Sequence, residues 1–235
     1  MFKKEKPYLK FSTPFKGLEN IEQVLPQPAK NFIPKWFKDM PPTPKDDFHT
    51  KLVPQSKTAK LCPSFIDIFH NGFVLPAHCD IYLRWEDDGE YEWQTSFEEY
   101  EMQIHHDIQM KDYAPKQAKI QKVFKIVSPF RMQTPKGYSV YQVPMLYHYN
   151  TDWHVPYGVI HTDKHHIINQ QIVVTAENKN QLLIKQGEPL CYYVPFKREE
   201  FDLKIESWSD KWETLTRENL YKVHSKFKGG YLKNI

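Results

Sequence analysis

Between residues 134 and 199 the chain is written as short apolar runs cut by turn signals, and that punctuation limits its fold more than any other feature. Thr134-Pro135-Lys136-Gly137-Tyr138, Tyr157-Gly158 and Lys185-Gln186-Gly187-Glu188-Pro189 are the turns. The runs at 139–145, 158–160, 167–175, 182–184 and 190–196 are three to nine residues long and rich in Val, Ile and Tyr. Such segments are short for helices, and β-branched and aromatic side chains suit a pleated surface, so the body is expected to be mainly β.

The chain has 235 residues, 40% hydrophobic and 15% aromatic, enough to bury one sizeable core. One domain with extensions is the expectation, divided as a basic Pro-rich arm at 1–60, a β-rich body at 61–206, and a helix with a tail at 207–235. The arm holds nine of the 18 prolines, and twelve lysines against six acids. Proline fixes φ and removes ladder donors, which favours an extended course. Anchors such as Phe11, Phe15, Val24, Trp36 and Phe37 need something to pack against, so the arm is expected to lie over the body or a neighbouring subunit. Deletion of residues 1–50 is expected to leave the body folded while weakening self-association or partner binding.

Cys62-Pro63-Ser64-Phe65-Ile66-Asp67-Ile68-Phe69 has helical spacing at Phe65, Ile68 and Phe69. Ile81, Leu83 and Trp85 alternate against Tyr82 and Arg84, and Asp87-Asp88-Gly89-Glu90 turns the chain, which predicts a hairpin over 79–96. From Glu86 to Asp112 there are ten acids and one Lys, which is either a solvated loop of ordinary surface charge or a negative field complementary to the basic arm. A strand is predicted at 123–127, ended by Ser128-Pro129, and an edge strand at 201–205. Ser209 or Asp210 can cap a helix with Trp212, Thr216, Leu220, Val223 and Phe227 on one face, stopped by Gly229-Gly230. Trp36, Phe37, Trp212 and Leu220 are the candidate interface residues.

The net charge of +3 is too mild for a nucleic-acid binder. No run of about 18 apolar residues is present to span a membrane, and the first residues do not lead into a secretory apolar core. Cys62, Cys79 and Cys191, widely spaced and odd in number, fit reduced thiols of a cytoplasmic protein.

The order Thr134-Pro135-Lys136-Gly137-Tyr138-Ser139, Val143-Pro144, Gly158-Val159-Ile160-His161-Thr162-Asp163 and Ile184-Lys185-Gln186-Gly187-Glu188-Pro189 resembles the dUTPase and dCTP deaminase superfamily over about a third of the chain. Ala77-His78-Cys79-Asp80-Ile81 is a weaker echo of an early strand of that family. The resemblance implies a β-clip or jelly-roll-like fold and a homo-oligomer, a trimer by preference, with sites between subunits. The departures bear on chemistry. Where the family carries phosphate-binding Arg and Ser, Pro144 is followed by Met145, Leu146 and Tyr147. His161 stands at the family's catalytic Asp and Lys164 at its sugar-discriminating Tyr, Tyr192 or Tyr193 is nearest to a further family Gln, and Gly229-Gly230 is all that answers the glycine-rich closing motif. The resemblance therefore implies an inherited body with its hydrolytic chemistry removed. The lysine-rich residue choice and the Cys-Pro-x-Phe-x-Asp start also resemble proteins of marine phages and bacteria, which implies a virion or host-interaction role.

Eleven histidines invite a metal reading. An iron/2-oxoglutarate oxygenase needs H-x-D/E plus a distant His; His78 and Asp80 with one of His148, His154 or His161 could supply it, and His161, His165 and His166 could gather on a three-fold axis. Against this, composition alone gives roughly one H-x-acid and the chain has three, at His78/Asp80, His105/Asp107 and His161/Asp163, a weak signal. Phosphate-loop, dinucleotide, nucleophile-elbow, zincin and C-x-x-C motifs are missing. The expectation is a non-enzymatic assembly or binding protein with no cofactor. The alternatives are a diverged nucleotide hydrolase acting through His161 and Asp163, or the oxygenase.

Overall fold

A computed structural model of the chain describes residues 6–44, 57–86, 90–97, 102–105, 120, 122–176 and 180–227. The protein is mainly β: among the described residues, thirteen strands form three antiparallel sheets. The first contains β1 (Lys10–Ser12), β6 (Met102–Ile104), β7 (Lys122–Gln133), β9 (Trp153–His154) and β11 (Ile167–Val174), in the order β1-β7-β11-β9 with β6 also on β7. The second runs β10 (Gly158–Ile160), β8 (Tyr138–Pro144), β13 (Pro189–Lys197), β3 (Phe73–Pro76) and β2 (Gln27–Pro28). The third sets β12 (Gln181–Ile184) and β5 (Tyr91–Thr95) on either side of β4 (Ile81–Trp85).

One core joins the sheets. Ile81, Leu83 and Trp85 point inward from β4 and meet Phe124, Ile126 and Ile172 from the first sheet and Leu75, Val140 and Tyr193 from the second. Each such side chain, fully buried, contributes about 1.5–3 kcal/mol. The hairpin expected over 79–96 is present, with Leu83 opposite Trp93. So is the short helix, α2 (Pro63–His70), following α1 (Lys35–Asp39). Gly72 ends the turn after α2 at φ 93°, and a Cβ there would sit 2.4 Å from the Tyr193 carbonyl oxygen, so only glycine fits.

Two strand expectations are corrected. β7 does not stop at Ser128-Pro129 but continues to Gln133, because residues 128–130 face the single Ile168 of β11 across a bulge. At a bulge the ladder does not require the N–H that Pro129 lacks, and Ser128 Oγ accepts from the Phe130 amide at 3.1 Å. Residues 201–205 alternate but form no strand; Phe201, Leu203 and Ile205 are each almost fully exposed. Alternation yields a strand only where a neighbour supplies the ladder.

Residues through Arg198 form one compact unit, and those from Glu199 a second that contains α3 (Asp210–Phe227). The Ser209 carbonyl accepts the Glu213 amide at the start of α3, in agreement with the expected cap. The proline-rich segment is built into the first unit: β1 pairs with the end of β7, β2 pairs with β3, and Leu18, Val24, Ala29 and Phe37 are buried. Its removal would open the core, contrary to the expectation that the body folds without it. Most of the acidic stretch from 86 to 112, with Asp107 of one H-x-acid pair, and Gly229-Gly230 lie outside the described residues.

Candidate functional site

The turn after Thr134 and the turn after Ile160 are brought together by the end of β13. The Arg198 guanidinium donates from Nη1 to Asp163 Oδ1 at 2.8 Å, to the Tyr138 carbonyl at 3.1 Å and to Ser139 Oγ at 2.6 Å. From Nη2 it donates to Asp163 Oδ2, and the Gly137 amide donates to that same oxygen at 2.9 Å. Those hydrogen bonds, from Arg198 first and Gly137 second, hold the Asp163 carboxyl well below the usual carboxylate range. The Asp163 side chain is 4% exposed and that of Arg198 28%.

Ser139 Oγ also lies 2.8 Å from His161 Nδ1. Arg198 Nη1, which can only donate, also lies 3.3 Å from that Nδ1, so Nδ1 accepts and the Ser139 hydroxyl donates to it. A serine beside an imidazole can act as a nucleophile. Here Ser139 is completely buried, so an incoming carbonyl or phosphorus could not reach it. His161 and Asp163, the two residues the resemblance nominates for hydrolysis, thus stand in a tie between two turns and the end of a strand.

The H-x-D pair is separated by environment. His78 is 3% exposed and packs its edge against Phe97, and burial pushes its imidazole down to about 4. Asp80 is exposed and accepts the Gln186 amide at 2.7 Å. His161 bonds to Ser139, and His148 bonds to the Phe32 carbonyl, so neither joins His78. His165 is exposed, while His166 Nδ1 lies 3.1 Å from the carbonyls of Met132 and Thr162. Among the described residues no group of three or more His, Cys, Asp and Glu side chains is placed to hold a metal ion.

At the far end of β8 the chain lines a cavity of about 410 Å³ that is open to solvent on one side. Ser139 and Pro144 are five residues apart on that strand, roughly 17 Å at 3.3 Å per residue, so the cavity is distinct from the Arg198 tie. One wall is Tyr147, His148 and Tyr149, another Trp153, His154 and Val155, and Glu188 to Leu190 close the third side. The size suits a small molecule.

Tyr147 and Tyr149 both have left-handed backbones, φ 62° and 54°. That conformation costs a non-glycine residue on the order of 1 kcal/mol, and neighbouring structure must impose it. The proline-rich segment does so. Trp36 Nε1 donates to the Tyr147 carbonyl at 2.8 Å, His148 Nε2 donates to the Phe32 carbonyl at 2.9 Å, and the Trp36 and Tyr149 rings lie 5.9 Å apart. Asn150 Oδ1 accepts the amides of Asp152 and Trp153, which turns the chain into β9.

Burial holds both His148 and His154 below the ordinary imidazole value, the Phe32 carbonyl partly opposing the shift at His148. Both rings are therefore uncharged at neutral pH. Among the described residues lining the cavity, Glu188 carries the one formal charge; it accepts the Lys185 amide at 3.1 Å. An anionic phosphate chain would meet aromatic faces, neutral imidazoles and a carboxylate.

Sequence reasoning named Met145, Tyr147, His148 and His154, and Glu188 as part of a turn, but did not assemble them into a cavity, and it passed over Tyr149, Trp153 and Arg198 as site residues. The Asn-x-Asp turn at 150–152 was the available signal for a tight loop. Of the interface candidates, Phe37 is buried against Phe65 and Phe69, Trp36 is half-buried behind the cavity loop, and Trp212 is exposed. The Leu220 side chain is not among those described. In comparisons with known proteins, no family model and no curated protein matches this chain.

Proposed function

We propose that this chain is a ligand-binding β protein with a dUTPase-like body that does not hydrolyse nucleotides. One observation carries the reading: Asp163 and His161 are bonded into the Arg198 tie, while the cavity of the same body lies at the other end of β8. A hydrolytic site needs a base within reach of water and donors around the phosphates. The cavity has imidazoles and a carboxylate, but among its described lining residues no cationic side chain to hold the phosphates. The test is pyrophosphate release from dUTP and dCTP by wild-type protein and His161→Ala, with nucleotide binding followed by calorimetry. Neither release nor binding is expected. Turnover that disappears in His161→Ala overturns the reading.

A second reading, self-association into a trimer, draws on the outer margin of the second sheet. β10 pairs only with β8 among the described strands, and Tyr157, Val159 and Tyr141 are exposed along it, Tyr141 stacked on Phe196 at 4.2 Å. An open strand edge beside an apolar face is a ready site for a second copy. Light scattering after size exclusion distinguishes the states, and Val159→Lys is expected to convert a trimer to monomer. A wild-type protein that runs as a monomer at all concentrations rules this out.

A further inference from the structure

We propose that the cavity between Tyr147 and Leu190 takes a compact organic cation, an ammonium with apolar substituents seated against Tyr149 and Trp153 and balanced by Glu188. The inference rests on the binding reading above and names the ligand class.

Three independent features point to it. The walls are aromatic, and the faces of Tyr and Trp rings carry the negative lobe of the ring quadrupole, which attracts a cation stripped of water. The charge has one sign, because Glu188 faces the cavity while His148 and His154 are held neutral by burial. The third is strain: both cavity tyrosines adopt left-handed backbones that tyrosine disfavours, and the Trp36 and Phe32 contacts keep them there. Strain held at two aromatic residues on one cavity wall fits a preformed ligand clamp. A ligand that must be desolvated to enter loses less on aromatic walls if its charge is spread over alkylated nitrogen. A bare inorganic cation would need several oxygen ligands, and among the described lining residues one carboxylate is present.

The experiment uses the full chain and three probes of one shape: tetramethylammonium, neopentyl alcohol and pivalate, differing in charge as +1, 0 and −1. Binding is read by calorimetry and by tryptophan fluorescence at constant sodium chloride. Tetramethylammonium is expected to bind, with the alcohol weaker and pivalate weakest. Glu188→Gln, which keeps an acceptor for the Lys185 amide, and Tyr149→Leu are each expected to weaken the cation about fivefold. A parallel titration with Nα-acetyl-Nε-trimethyllysine amide separates a free amine from a polypeptide side chain as the source; tighter binding of either supports the inference and names that source. Equal binding of the alcohol, preference for pivalate, or no binding of any cation overturns the assignment. Those outcomes bear on the cation alone, while nucleotide turnover is assayed separately, so the two readings fail separately.

Discussion

Gln170 and Tyr193 meet between the first and second sheets: Gln170 Nε2 donates to Tyr193 Oη at 2.9 Å, and neither side chain is exposed to solvent. Tyr193 Oη in turn donates to Gln142 Oε1 at 3.2 Å. A hydroxyl thus satisfies polar groups from two facing strands inside an otherwise apolar core. Tyr193→Phe would take the donor from Gln142 Oε1 and leave Gln170 Nε2 only the Ile168 carbonyl at 3.4 Å, and is expected to destabilise the protein by about 1–3 kcal/mol. Urea denaturation measures this, and the Gln170→Leu, Tyr193→Phe double variant should cost less than the two single changes together. Simple additivity would show that the bond does not couple the sheets.

The Arg198 tie gives stability an acid limb. The Asp163 carboxyl titrates below its ordinary 3.8 in the folded protein, so its contribution is full above that value and is lost as pH falls further. Wild-type protein should melt above Asp163→Asn at pH 6, and the two melting points should converge below pH 3.8. A gap that stays constant with pH would mean that the carboxylate charge contributes nothing.

His78 acts in the same direction, over a higher range of pH. Burial lowers its imidazole from 6.5 to about 4, so between those values the unfolded chain binds a proton that the folded chain does not. Stability should fall as pH drops through 6.5 and level off near 4, by at most on the order of 3 kcal/mol. In His78→Gln that part of the slope should vanish. An unchanged slope in urea melts at pH 4 to 7 would place the titration elsewhere.

At Tyr149 the backbone sets an unusual order of variants. Its φ of 54° favours glycine, and its side chain is 71% exposed, so little burial is lost on truncation. Tyr149→Gly should be more stable than Tyr149→Ala by about 1 kcal/mol, the reverse of the order in a helix or strand. Both should weaken cation binding, as Tyr149→Leu does. An alanine variant as stable as the glycine variant would show that the left-handed backbone carries no strain.

Much of the fold was legible because its signals are local. The Tyr138–Pro144 strand, the 79–96 hairpin and the Pro63–His70 helix each carry their periodicity and turn residues within a few positions. Pro129 misled because its tolerance depends on a bulge created by Ile168 on another strand. Residues 201–205 misled because alternation says nothing about a pairing neighbour. The cavity was hidden for a related reason: its walls come from 144–155 and 188–190, and its shape depends on Trp36 and Phe32, more than a hundred residues away. Left-handed tyrosines leave no compositional mark, since the usual flag for that conformation is glycine.

The most direct test follows backbone amide signals of the assigned protein by NMR during two titrations, one with tetramethylammonium and one with dUTP. The expected result is that tetramethylammonium moves Tyr147, His148, Trp153 and Glu188 and leaves Ser139, His161 and Asp163 in place, while dUTP moves neither group. Saturable shifts at Ser139, His161 and Asp163 with dUTP would contradict it, and would return the chemistry of this protein to the Arg198 end of β8.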